Sequence, residues 1–152
     1  MEHEKADLVK RVLAALIDGA IAWVFAFIPV LGGLIGLAYL LLKDAVMYQV
    51  TKDAQWMNKS VGKKIMQIKV VTEDETVVDW AISAKRNIPI SIGNLFSIIP
   101  VLGILIGFPI ALVVGVIELV LILTDPAARR LGDRWAGTQV VPDDEAASRT
   151  MP

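Results

Sequence analysis

Three carboxylates attract attention because of where they fall. Asp18 is the one charge in the 31 residues from Val12 to Leu42, and Glu118 directly follows 31 uncharged residues from Asn87 to Ile117. Asp44 stands beside Lys43 at the end of the first apolar block. A carboxylate set in apolar sequence costs about 2.5–3.5 kcal/mol on membrane-insertion scales, so it must face protein or water. Two kinds of chemistry use such a group. One is cation coordination or proton exchange, with proton affinity poised by partial burial. The other is ion pairing that pins helices together, for which Arg11, Lys43, Arg86 and Arg134 are available. Asp18 lies seven residues past Arg11, Glu118 seven before Asp125 and Asp44 nine before Asp53. Seven residues of helix span about 10 Å, so the three carboxylates approach one level roughly a third of the way into a bilayer. If ions move, Asp18 is expected to be essential, with Glu118 and then Asp44 modulating. If the role is structural, Arg11 and Asp18 are expected to be coupled through a third group, Arg86.

The elements that must hold these groups are membrane helices. The chain has 152 residues, 55% of them hydrophobic, and its apolar residues come in blocks. Each 31-residue block is too long for one span of about 20 residues and suits most of a helical hairpin. Each block breaks at the same wording, Ile28-Pro29-Val30-Leu31-Gly32 and Ile99-Pro100-Val101-Leu102-Gly103, because Pro closely followed by Gly stops a helix and reverses the chain. The reading is an all-α membrane protein of four transmembrane helices in two tandem hairpins, near 8–28, 31–50, 80–99 and 103–124. A cytoplasmic loop spans 51–79. Lys85, Arg86, Pro89, Ser91, Asn94 and Ser97 dilute the third helix, and Trp80 is expected at headgroup depth. Pro89 and Pro109 weaken their helices. Within the loop, Ile65–Thr72 and Thr76–Val78 read as a hairpin across Glu73-Asp74-Glu75, and Thr138–Val141 could join them in a small sheet. The tail, 142–152, is polar and acidic and reads as disordered.

Positive charge falls before the first helix, in the central loop and after the fourth helix, while both Pro-Gly turns carry none. The positive-inside rule then places both termini and the loop in the cytoplasm and the turns outside, in the inner (plasma) membrane of a cell. The acidic and basic start and the long apolar run do not fit a signal peptide. The chain also repeats at about 70 residues. Lys10-Arg11 answers Lys85-Arg86, Val61-Gly62-Lys63-Lys64 answers Leu131-Gly132-Asp133-Arg134, and Val70-Val71 answers Val140-Val141. Two spans per half give repeats of the same orientation, the mark of a duplication. Arg11, Ala15, Asp18, Ala22 and Ala26 form one small-polar stripe. Gly103, Gly107, Ala111 and Gly115 form a ladder through which helices can approach closely. Asn87, Ser91 and Asn94 offer hydrogen bonds on one face of the third helix.

Other functions find no support. There is no cysteine, one histidine (His3) and a net charge of −1, so no thiolate or histidine metal site, no cofactor and no nucleic-acid partner are expected. P-loop, nucleophile-elbow and zincin motifs are absent, and no enzyme is expected. Asn58-Lys59-Ser60 would lie on the unglycosylated side, and Arg129-Arg130 is an ordinary inside anchor able to meet anionic headgroups.

Arg11 through Asp18, Ser60-Val61-Gly62-Lys63, Arg86-Asn87, Thr124-Asp125-Pro126 and Arg130 through Val141 together resemble the RDD family of bacterial membrane proteins. The resemblance covers about residues 8–141. It implies that Arg11 and Asp18 take the family's arginine and first aspartate and Asp133 its second, with Asp44 a rival. Gly132 stands where many members have His, and Asn58 and Gln67 each replace a common Gly. The family's function is largely unassigned, with transport of small ligands or ions suggested. Two expectations follow: a small transporter, working as a homodimer or larger, or an accessory subunit that binds another membrane protein.

Overall fold

The computed structural model describes residues 4–25, 27–28, 31–98 and 102–143. Helix α1, Leu8–Phe25, starts where Asp7 Oδ1 accepts the Val9 and Lys10 amides at 2.9 and 3.2 Å. Helix α2, Gly32–Thr51, ends where Lys52 turns left-handed. A 3₁₀ turn, Ala54–Trp56, leads to the short α3, Val61–Ile65, capped by Ser60, whose Oγ accepts the Lys63 amide at 3.2 Å. Strand β1 is Ile68–Thr72 and helix α4 is Trp80–Ser91, the latter capped by Asp79. After a 3₁₀ stretch, Ile92–Ile98, and a π turn, Gly103–Gly107, come α5 (Phe108–Thr124), α6 (Leu131–Trp135) and β2 (Thr138–Pro142).

The third and fourth of the expected spans are less regular than the sequence foretold. Two helical stretches, Gly32–Thr51 and Leu105–Thr124, are long and apolar enough to cross a bilayer. In place of one helix over 80–99, α4 tightens after Pro89, and the Ile92 amide bonds back to the Pro89 carbonyl. Proline removes a helical donor and crowds the turn before it, so an i→i+3 pattern takes over. Pro109, in the first turn of α5, follows a widened turn in which Phe108 reaches back to Gly103. Both prolines change the helix type where the sequence foretold only weakness. The expected turn prolines Pro29 and Pro100, like Ala26 and residues 144–152 of the tail, lie outside the described residues. Pro142 and Asp143 do not belong to a disordered tail: Pro142 closes β2, and Asp143 is buried against Lys59 at 2.5 Å.

The expected β-hairpin is replaced by a longer-range pairing. β1 pairs antiparallel with β2, with Val70 opposite Val140. The far edge of β1 is taken at Val70, whose amide donates to the Asn58 carbonyl at 3.0 Å. Residues 76–78 therefore find no edge, and the Val78 amide donates to Asn58 Oδ1 at 2.7 Å. Val70 and Val140 are equivalents in a 70-residue repeat, and equivalent residues face one another only at a two-fold axis. The duplication extends to the helices, since α3 packs on α1 in one half and α6 on α4 in the other. The Ala6 amide donates to the Val140 carbonyl at 3.0 Å, so the N-terminal segment, the central connection and the C-terminal segment meet on one side.

Apolar burial is confined to that side: Ala6, Ala14, Ile68 and Val140 form one small cluster, and Ala45, Val70 and Val78 another. Elsewhere the large apolar side chains point outward, among them Leu16 at 63%, Phe108 at 68% and Leu123 at 65% exposure. Asp18, Asp44, Ser83, Arg86 and Asn87 fill the interior at 0%. Polar groups inside and apolar groups outside suit a lipid surround, where every polar group must find a partner within the protein.

Candidate functional site

The buried charges form one network at the side where the three segments meet. Asp18 accepts from Ser60 Oγ at 2.7 Å, the Gly62 amide at 2.8 Å and the Tyr39 hydroxyl at 3.3 Å, and it faces Lys43 Nζ at 3.2 Å. Asp44 accepts from Lys63 Nζ at 2.6 Å and Asn87 Nδ2 at 3.1 Å, with Arg86 Nε at 3.4 Å. Asp133 gathers three guanidinium groups: Arg86 at 2.8 Å, Arg11 at 3.1 Å and Arg130 at 3.2 Å. Arg11 also donates to the Ala128 carbonyl. The expected coupling of Arg11 to Asp18 is thus redirected. Arg11 reaches Asp133, 122 residues away, and Asp18 takes Lys43. Arg86 does stand between two carboxylates, but they are Asp44 and Asp133. Arg134 serves Asp125 at 2.7 Å, outside this network.

Backbone packing brings these groups together. A Cβ on Gly62 would strike the Ala14 carbonyl, and one on Gly132 would strike the Arg86 carbonyl. The two glycines are repeat equivalents, and each seats a short helix on the first long helix of its half. Gly132 therefore has a packing reason of its own: any side chain there would meet the Arg86 backbone. Asn58 and Gln67 both adopt left-handed φ, 60° and 56°, the conformation that favours glycine.

Three members of the network, Lys63, Ser60 and Tyr39, gave no separate signal in the sequence. Lys63 lay among other loop lysines, yet it is the 70-residue equivalent of Asp133 and carries the opposite charge. Ser60 holds Asp18 and caps α3 with one hydroxyl. Outside the long helices, burial is the largest influence on Lys63; with Lys43 and Arg86 it outweighs the attraction of Asp44 and Asp18 and brings the ammonium down to about 8. Burial alone would raise Asp133, but Arg130, Arg86 and Arg11 hold it well below the usual carboxylate range.

Glu118 differs from the three aspartates. Its Oε2 accepts the Leu131 amide at 2.8 Å, while its Oε1 is buried without a hydrogen-bond partner among the described residues. It lines a crevice of about 250 Å³ between α1 and α5. Val12, Ala15 and Leu16 of α1, Leu119 and Ile122 of α5 and Ile90 of α4 line it. Arg11, Lys43, Lys63 and Arg130 line it as well. The expected small-residue ladder splits here. Gly107 and Ala111 pack against Gly93, whereas Gly115 has open space and borders the crevice. Among the described residues no group of His, Asp and Glu is placed to hold a metal ion.

Residues 5–137 match the model of the RDD family. The chain belongs to that family. No curated protein and no solved structure matches it. Family membership and the two apolar helices together point to a membrane protein.

Proposed function

Taking membership of the RDD family as the premise, we propose a multi-pass protein of the inner membrane that moves a small ion or solute through a carboxylate-containing helix interface. It crosses four times, with both termini in the cytoplasm, in keeping with the positive charges on the side where the termini and the central loop meet. In the irregular third span Gly93 packs against Gly107 and Ala111, while Ile92 and Leu95 face outward.

The observation that carries this reading is the unpartnered Oε1 of Glu118. Asp18, Asp44 and Asp133 are saturated by cations and donors, and an entering ion would have to break those bonds. Their work is to clamp α1, α2 and α4 to the short helices α3 and α6. Glu118 has a free acceptor in a crevice with room beside it, so the working carboxylate is Glu118 and not Asp18. The test is solute counterflow in proteoliposomes containing a pH-sensitive dye, with Na⁺, K⁺, small amines and zwitterions offered in turn. Flux by the native protein that Glu118→Gln abolishes supports the assignment; undiminished flux in that variant rejects it.

A further inference from the structure

The charges around the crevice define what it can accept. Five buried or nearly buried cations, Arg11, Lys43, Lys63, Arg86 and Arg130, face four carboxylates, Asp18, Asp44, Asp133 and Glu118. The cluster therefore carries one positive charge in excess. A bare metal cation drawn to Glu118 would meet Arg11, Lys43, Lys63 and Arg130 lining the same space, and their repulsion opposes its entry. A simple anion would satisfy the excess charge but would leave Glu118 Oε1 without a donor. Both demands are met by one ligand that carries an anionic group and an N–H donor together.

The walls add a third requirement. Leu16 is 63% exposed and Val12 and Leu119 are about half-exposed, so the crevice opens sideways onto the apolar surface of the helices. At about 250 Å³ it is smaller than the pockets of roughly 300–1,000 Å³ that enclose drug-sized ligands. That volume suits a headgroup whose attached chain stays in the bilayer.

Resting on the reading of this crevice as the solute site, we propose that its ligand is a phospholipid whose headgroup carries both a phosphate and a primary ammonium. The phosphate sits against Lys43, Lys63 and Arg130, and the ammonium donates to Glu118 Oε1. Asp18 occupies one of the three N–H donors of Lys43 and Asp44 one of those of Lys63, so both ammonium groups have donors to offer. The lowered proton affinity of Lys63 is consistent with an ammonium that an added anion would stabilise.

The test is equilibrium binding to the purified full chain in a neutral detergent, read by native mass spectrometry. The probes are lysophosphatidylethanolamine, lysophosphatidylglycerol, lysophosphatidylcholine and free phosphoethanolamine. The quaternary ammonium of the choline lipid has no N–H, and the glycerol lipid has no cation. The ethanolamine lipid should bind about tenfold tighter than either, the scale of one charge-assisted hydrogen bond. Free phosphoethanolamine, without a chain, should bind more weakly, which identifies the lipid as the source of the headgroup. Glu118→Gln keeps an acceptor for the Leu131 amide and should erase the preference for ethanolamine. Gly115→Leu, entering open space, should weaken binding of all three lipids while leaving the melting temperature unchanged. Equal binding of the three lipids by the native chain would overturn the proposal, as would a preference that survives Glu118→Gln. Because binding is read without flux, a preference found in a protein that moves nothing rejects the transport reading and upholds the ligand. Flux that depends on Glu118 without any lipid preference does the reverse.

Discussion

Replacing Lys43 with Met should destabilise the protein more than any exposed substitution. Lys43 and Asp18 have side chains 7% and 0% exposed, and their charges are 3.2 Å apart. Without the ammonium, Asp18 keeps the Ser60, Gly62 and Tyr39 hydrogen bonds but loses its countercharge. Stranding one partner of a buried pair costs about 3–5 kcal/mol. At roughly 2–4 °C per kcal/mol for a chain of this size, the melting temperature should fall by about 6–20 °C. Asp18→Asn strands Lys43 in turn and should cost a similar amount. The double variant leaves no unpaired charge at this position, so it should be more stable than the sum of the single losses implies, by about 2 kcal/mol. The assay is thermal unfolding in mild detergent followed by circular dichroism. Additivity within about 0.5 kcal/mol would refute the pairing.

Other consequences are open to measurement. Gln67→Gly should raise stability by about 1 kcal/mol, because φ is already 56° there and a Cβ is strained in that region; the melting temperature reports it. Gly62→Ala and Gly132→Ala should give misassembled protein on size exclusion, since the added carbon meets backbone, whereas Gly115→Ala should be neutral. Asp133 has a folded pKa below its unfolded value of about 3.9, so its contribution is fully present above that value and lost as pH falls further. Unfolding should therefore set in below about pH 4, and Asp133→Asn should flatten that acid limb. Cysteines placed at Gly33 and Ser148 test the topology: only the first should react with an impermeant reagent added outside.

Much of this was legible because lipid leaves few alternatives. The isolated charges Asp18 and Glu118 had to turn inward, and both are buried. The 70-residue echo, read from Gly62 and Gly132 and from the Val-Val pairs, returns as two matched helix seats and a strand pair centred on Val70 and Val140. Partner choice was not legible. Arg11 shares a helix face with Asp18, yet its nearest carboxylate in space comes from Asp133, and no local periodicity encodes that approach. The same holds for β1, whose neighbour is a distant strand in place of the adjacent segment. Pro89 and Pro109 signalled weak helices, but whether the backbone tightens or widens depends on packing such as that of Gly93 against Gly107.

If the aspartates clamp the fold while Glu118 does the work, the two roles separate in one pair of variants. The decisive measurement is flux and melting temperature side by side on Asp18→Asn and Glu118→Gln. Asp18→Asn should lose much of its stability, and Glu118→Gln should keep a native melting temperature with flux abolished. A stable Asp18→Asn protein that no longer transports, beside a Glu118→Gln protein that still does, would contradict this division of roles.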